Sequence, residues 1–442
     1  MRKKTLISVI SVAILLIFAS ISFGSEIGTV VQEDGYQSRA RVNKDMVVWE
    51  DVDSISQRVV FLAGDKQKTL GKSGTQQKQA NIYEDKIVFS DNRYLNWDLF
   101  IYNISSGKET PIVRNSADQT QPDIYENYVV WSDDRYDNWD IHLYDTLTKK
   151  EISISGADGD QIKPAIDGDY VVWQDNRNDN WDIYGYQIST GEELVISKAP
   201  NGQVDPKISG GYVVWADRRN GNGDIYLYDL NAKKEKQITK SDANQEAPAV
   251  YNNAIVWQDD RSYNWDVYGY NITTGEEFSL VKADKDQFAP DVYGNKVVFT
   301  DNANYNNDIK YTTLPFDNVV QEEEIKAEGL SVNLNGGQIP LEVPPIMKND
   351  RVLVPLRGIA DALGLNTQWY GTTQTIVITG GEKSISLGIG SQRVMVGDTA
   401  IEMSVAPILE KDHTYVPVRF VSEAFGAMVD WDNATQTVEI FK

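Results

Sequence analysis

Seven times along this chain a short β-branched run closes on an aromatic residue: Trp49, Phe89, Trp131, Trp173, Trp215, Trp257 and Phe299. The first spacing is 40 residues and the next five are all 42. Twelve residues before each aromatic stands a glutamine, from Gln37 to Gln287, and two residues after it an aspartate, from Asp51 to Asp301. From the second unit on, a further aspartate follows nine residues after the aromatic, as at Asp98, Asp140, Asp182, Asp224, Asp266 and Asp308. A period of 40 to 45 residues confines the chain to an array of one supersecondary unit.

Each unit reads as four short strands: a Pro-x-Ile or Pro-x-Val start, a Val-Val-Trp run, an Asp-Ile-Tyr-x-Tyr run and a polar strand such as Glu235 to Thr239. Four-stranded units at this period are blades of a β-propeller, packed face to face round an axis. The seventh unit has no fourth strand of its own before Pro315, and Thr29-Val30-Val31 falls where a fourth strand belongs. The expected fold is therefore a mainly β, seven-bladed propeller whose last blade is completed by the N-terminal strand, leaving no free edge. An open stack of repeats is the competing architecture.

The segments 134–141 (Asp-Arg-Tyr-Asp-Asn-Trp-Asp-Ile) and 219–226 (Arg-Asn-Gly-Asn-Gly-Asp-Ile-Tyr) resemble the D-R-x-G-x-x-D-I-Y core of TolB-like propeller repeats. The resemblance covers residues 26–314 and implies a secreted or periplasmic propeller that binds other proteins or supports a catalytic domain. The first unit lacks the loop Arg and the last has Ala303 in its place.

Between the second and third strands lies a loop of the form D-x-R-x-x-N-W-D, complete at Asp91, Arg93, Asn96, Trp97 and Asp98. All such loops emerge at one end of the propeller together with the glutamine-bearing connections. One reading is structural: the Asp pairs with the Arg, the Gln bonds a neighbouring blade and the Trp covers the seam. The functional reading makes this face a protein- or glycan-binding surface, with Trp97, Trp139, Trp181 and Trp265 as stacking platforms and Asp98, Asp140, Asp182 and Asp266 as hydrogen-bonding partners. Calcium is a third reading, opposed by the Arg inside the loop. His142 stands where other units have Phe100, Tyr184, Tyr226 and Tyr268, so it reads as a packing residue.

Residues 1–24 combine Arg2, Lys3 and Lys4, an apolar run from Leu6 to Phe18 and a small-x-small site at Ser22-Phe23-Gly24, the pattern of a secretory signal peptide. No later segment is long and apolar enough to span a bilayer. The net charge is -23, which disfavours nucleic acid as a partner. Cysteine is absent, so disulfides, thiolate metal sites, cysteine nucleophiles and a lipid-modified Cys are excluded together.

After an acidic linker at 315–327, residues 328–442 hold a second duplication. Arg351 to Arg357 (R-V-L-V-P-L-R) recurs as His413 to Arg419 (H-T-Y-V-P-V-R), and Trp369 recurs as Trp431. Each half reads as a strand ending in V-P-x-R, a helix stopped by Gly and two further strands, giving one α+β domain. These residues look like the copper amine oxidase N-terminal domain, an accessory stalk module of exported proteins. The copper site of the oxidases lies in another domain, and no metal or other cofactor is expected here. Arg357 and Arg419 either contact an anionic wall polymer or, on the favoured reading, brace the helix or the partner half through hydrogen bonds.

No G-x-S-x-G, H-E-x-x-H or histidine triad occurs. The sequence thus points to a secreted, non-catalytic binding or scaffolding protein of the cell surface. Its propeller would recognise extracellular protein or glycan, and its C-terminal module would associate with the envelope. The alternative is an extracellular polysaccharide-active enzyme with a carboxylate site on the propeller face.

Overall fold

The structure, a computed structural model, describes residues 27–442 except 34, 55, 73, 147, 304–305, 319–324, 327–329, 349–350, 371–374, 382, 390, 392, 398, 404, 411–412 and 433–434. The expected signal segment, 1–24, lies outside the described residues. Seven four-stranded antiparallel sheets follow one another along the chain. Blade 1 runs through strands Tyr36–Asn43, Met46–Val52, Gln57–Ala63 and Lys66–Thr69, and blade 2 through Gln77–Tyr83, Lys86–Asp91, Asp98–Asn103 and Lys108–Val113. Blades 3 to 6 repeat this order, starting at Gln119, Gln161, Gln203 and Gln245. Blade 7 holds Gln287–Tyr293, Lys296–Asp301 and Asp308–Thr313, and its fourth strand is Gly28–Val31, antiparallel to the third.

One backbone bond sets the pitch from blade to blade. In every blade but the second, the N–H of the glutamine donates to the carbonyl just before the third strand of the preceding blade, as in Gln119 to Trp97 at 2.6 Å and Gln203 to Trp181 at 2.7 Å. The same bond joins Gln37 of blade 1 to Asn307 of blade 7 at 3.0 Å, so the ring closes on itself. The aromatic landmarks are the pillars of the seams, each 1% exposed or less. They sit in small apolar clusters between adjacent blades, Trp173 with Leu143 and Ile154 of blade 3, for instance.

The innermost strands differ from the expected Pro-x-Ile start. Each begins at the glutamine or, in blade 1, one residue before it, and in blades 3 to 7 the proline lies inside the strand, directly after a β-bulge. The residue before it, Gln121, Lys163, Asp205, Ala247 or Ala289, takes φ between 48° and 57°. Arg39 and Gln79 do the same ahead of an alanine, at φ 52° and 56°. A bulge breaks the ladder where proline has no N–H to give, which is how proline enters a strand. The left-handed turn is disfavoured for these side chains. It frees an N–H that donates across the seam: Gln121 to Gln79 Oε1 at 3.1 Å, Lys163 to Gln121 Oε1 at 3.0 Å, Asp205 to Gln174 Oε1 at 3.0 Å.

The linker expected at 315–327 belongs partly to its neighbours. Phe316 packs edge-on against Phe278, and Asn318, 1% exposed, donates to the carbonyls of Tyr251 and Gly294. Ile325–Lys326 pairs with Ile346–Lys348 of the C-terminal domain. In that domain the duplicated strands Arg351–Pro355 and His413–Pro417 pair antiparallel, Val354 opposite Val416. Helices α1, Leu356–Leu363, and α2, Val418–Ala424, follow them directly. α1 buries Leu356, Ile359, Ala360 and Leu363, spaced for one face, and stops at Gly364 with φ 67°. Arg357 is exposed, and Arg419 reaches only Glu423, at 4.0 Å. Neither braces the partner half, because both helices present these residues outward. No helix among the described residues is long and apolar enough to cross a membrane.

Deleting residues 28–31 strips buried Val31 from its cluster with Val42, Trp49 and Ile309 and bares the strand Asp308–Thr313. The expected outcome is a loss of about 3 kcal/mol in denaturant unfolding, together with self-association in size-exclusion chromatography.

Candidate functional site: the loop face of the propeller

The D-x-R-x-x-N-W-D loops are built on the aspartate that ends the second strand. Asp91, Asp133, Asp175, Asp217 and Asp259 are fully buried. Asp133 accepts from Arg135 Nε at 2.7 Å and Nη2 at 2.5 Å, from the Arg135 backbone N–H at 3.1 Å and from Trp131 Nε1 at 2.9 Å. The guanidinium reaches on to Glu151 of the fourth strand, and in the other blades its counterparts lie over the ring of the third strand, as Arg177 over Tyr184 at 4.0 Å. Burial alone would raise the Asp133 carboxyl. The Arg135 and Trp131 hydrogen bonds outweigh it and hold the group below the usual carboxylate range. In blades 2 and 7 the aromatic is Phe, with no N–H, and there Gln77 and Gln287 donate their amides to Asp91 and Asp301 at 3.0 Å. In blade 1, which lacks the loop Arg, Arg58 from the third strand takes Asp51 at 2.9 Å. These carboxylates and guanidinia satisfy one another and hold the loop.

Asp98, Asp140, Asp182 and Asp266, put forward as ligand partners, do not reach the surface. They are 1 to 4% exposed, and the loop asparagines Asn96, Asn138, Asn180 and Asn264 cover them. Their place at the first residue of the third strand turns them inward, and burial raises the carboxyls of Asp98 and Asp140. The same asparagines bond the carbonyls of the connection entering the next blade, as Asn96 to Ala117 at 2.6 Å. Trp97, Trp139, Trp181 and Trp265 are half-buried. Their backbone N–H groups are tied to the next connection, Trp97 to Asp118 and Trp139 to Asp160, and Lys78 Nζ lies 3.9 Å over the Trp97 ring.

The most exposed side chains of the face were missed by the sequence reading. Tyr94, Leu95, Tyr136 and Tyr263 stand 45 to 103% exposed at the loop tips. They occupy the two positions between Arg and Asn, the second of which takes φ 82° at Leu95, 73° at Asp137, 60° at Asp179 and 69° at Tyr263. The signal was present: this is the one pair that changes from unit to unit inside an otherwise repeated loop.

One depression on this face lies at the seam of blades 3 and 4, lined by Asp158, Gly159, Asn176, Arg177, Asp179, Asn180 and Trp181. Gly159 is required there: its φ is +79°, and a Cβ would fall 2.3 Å from Asn176 Oδ1. Asn176 itself is held by the Asp160 N–H at 2.5 Å. Asp158 and Asp179 are exposed. The depression thus sets a half-buried indole beside two carboxylates that solvent can reach. Among the described residues, no three His, Asp or Glu side chains are grouped to hold a metal.

Residues 333–440 match the copper amine oxidase N-terminal domain family. A protease inhibitor of Brevibacillus choshinensis is 31% identical over 121 residues, 27% of this chain and 37% of that protein, so the chain spans little more than a third of this relative. TolB from Acinetobacter baumannii has 14% identity and a TM-score of 0.41, covering 58% of this chain and 65% of its own. An oligogalacturonate lyase solved with manganese has 12% identity and a TM-score of 0.51, covering 67% and 94%. A puromycin-hydrolyzing peptidase of Mycobacterium tuberculosis has 11% identity and a TM-score of 0.50, covering 73% and 58%. The chain shares its propeller fold with the lyase and the peptidase and carries a domain of the oxidase N-terminal type. The expectation that it is not an enzyme is overturned as an inference: a lyase and a peptidase are among the proteins with this fold. It rested on missing motifs, and those motifs belong to other scaffolds.

Asp133 and Glu151 are both held below their usual range, the latter first by the His142 hydrogen bond. Their contribution to stability is complete above the unfolded carboxylate range and is lost as pH falls through the lowered folded values. Asp133→Asn should therefore cost about 3 kcal/mol at pH 7, with the gap to wild type narrowing in melts below about pH 4.

Proposed function

We propose that this is an exported surface protein whose propeller recognises carbohydrate on its loop face, with the depression at Trp181 as the primary site. The observation that carries the reading is the pairing of Trp181 with exposed Asp158 and Asp179 in one cavity. An indole offers an apolar face to a sugar ring, and carboxylates at the rim accept from its hydroxyls. The frame around them is already saturated, so these groups are spare. Trp97 has the same place in blade 2, but its face is taken by Lys78. Export is supported by the charged, apolar and small-residue order of residues 1–24.

The C-terminal domain holds the propeller at the envelope in this reading. Its duplicated helices each offer an exposed arginine, Arg357 and Arg419, suited to an anionic polymer.

A glycan array probed with the full chain should give binding that falls about tenfold or more in Trp181→Ala, one stacking contact's worth. Trp97→Ala should leave it unchanged. Equal binding by wild type and Trp181→Ala would sink the proposal, and release of shortened sugar would make the same depression an active site. In a second assay, sedimentation of the full chain with purified cell walls should drop in the Arg357→Ala/Arg419→Ala double variant and weaken with salt.

A further inference from the structure

The second site lies inside the ring and is independent of the loop face. The innermost strand of each blade has a half-buried or buried position four residues after its glutamine. In chain order from blade 1 to blade 7, the charges at this level alternate: Arg41 in blade 1, Asp123 in blade 3, Lys207 in blade 5 and Asp291 in blade 7. The blades between them carry only asparagine or alanine here. Equal register puts the four at equal depth. The Lys207 ammonium feels Arg41, Asp123 and Asp291, residues of three other blades, which only convergence on the axis allows.

The two signs are not equally engaged. Asp123 accepts from the Ile124 and Ile166 N–H groups at 2.9 and 3.0 Å, and Asp291 from the Val42 N–H at 2.9 Å. Backbone donors across the seam thus orient both carboxylates. Arg41 has one hydrogen bond, to the neighbouring Ala40 carbonyl at 3.1 Å, and Lys207 has no hydrogen bond or ion pair among the described residues. The Lys207 ammonium thus borders the channel with no acceptor of its own, and desolvation pushes Lys207 down and Asp123 up.

Two residues further along the inner strands, tyrosines narrow the channel. Tyr83 and Tyr125 meet in a tilted pair with ring centroids 4.9 Å apart, and Tyr251 and Tyr293 in another at 4.4 Å. Towards the loop face, the level two residues after the glutamine is the mouth, where Lys163 pairs with Asp205 and Arg39 with Glu50. The shape favours a small molecule over a threaded polymer. A lone anion would meet two carboxylates and a lone cation two bases. We propose that the channel binds a small zwitterion of amino-acid or dipeptide size, its carboxylate between Arg41 and Lys207 and its ammonium at Asp123 and Asp291.

Titration calorimetry of the full chain at low ionic strength, with glycylglycine, acetate and methylammonium as probes, tests this. Glycylglycine should saturate one site, and acetate and methylammonium should each bind about 30-fold more weakly or less. Lys207→Met and Arg41→Gln should each abolish the glycylglycine heat, while Trp181→Ala leaves it intact, which separates this site from the loop face. Acetate binding as tightly as glycylglycine, or no saturable heat from glycylglycine, overturns the proposal. The three probes on the wild-type chain decide the matter even where a variant fails to fold.

Discussion

The rest of the propeller depends on a carboxylate near the end of each second strand, buried in blades 2 to 6 and half-buried in blades 1 and 7. A carboxylate with no exposure is tolerated only when its oxygens are fully used, and in blades 3 to 6 an indole N–H, a guanidinium fork and a backbone N–H use them. This requirement ties three elements together. The Trp must stand two residues before the Asp, the Arg two after it, and the loop must turn tightly to bring the Arg back. The exchange in blades 2 and 7 shows that the carboxylate sets the rule and the partner does not. Where Phe removes the indole donor, the glutamine amide donates to the Asp, in blade 7 while still holding the carbonyl of Lys285.

The seams follow from the same economy of donors. Most blades meet the next through the glutamine N–H, the loop asparagine and the bulge N–H, all crossing from one sheet to its neighbour. The bulge residue accepts an unfavourable φ in all seven units. Such a conformation persists only when its surroundings over-determine it, and here a glutamine or glutamate oxygen of the preceding blade receives the freed N–H in several of the units. Ring closure then asks for nothing special: Gln37 meets Asn307 as Gln119 meets Trp97.

The repeat, the four-stranded unit and the N-terminal closing strand were legible because hydrogen-bonding partners two and fourteen residues apart leave a register in the sequence. Other features were not. Pro164 and Pro206 look like strand starts, since the bulge that admits them has no sequence mark. Asp98 and Asp140 look like surface loop residues, yet the strand begins on them and turns them inward. Phe316 and Asn318 look like linker, because their partners Phe278 and Gly294 are distant in sequence. The V-P-x-R strings suggest arginines that brace their surroundings, but they lie on the outward faces of α1 and α2, where Arg419 reaches only Glu423 of its own helix.

The frame's buried carboxylates, guanidinia and amides are turned toward one another and away from solvent, so a ligand finds accessible groups where the repeat varies. Two classes of position do so: the pair at each loop tip, which runs from Tyr94-Leu95 to Asn220-Gly221, and the axial level that holds Arg41, Asp123, Lys207 and Asp291. Both lie outside the hydrogen-bond scheme that makes the blades alike. The seam of blades 3 and 4 is then distinctive because its frame is ordinary: Asp175, Arg177 and Asn180 do what their counterparts do, and the exposed Asp158 and Asp179 are additions to them. The same separation explains how one propeller fold can occur in a lyase and in a peptidase. Catalysis or recognition is added at positions that the ring does not need for its own closure.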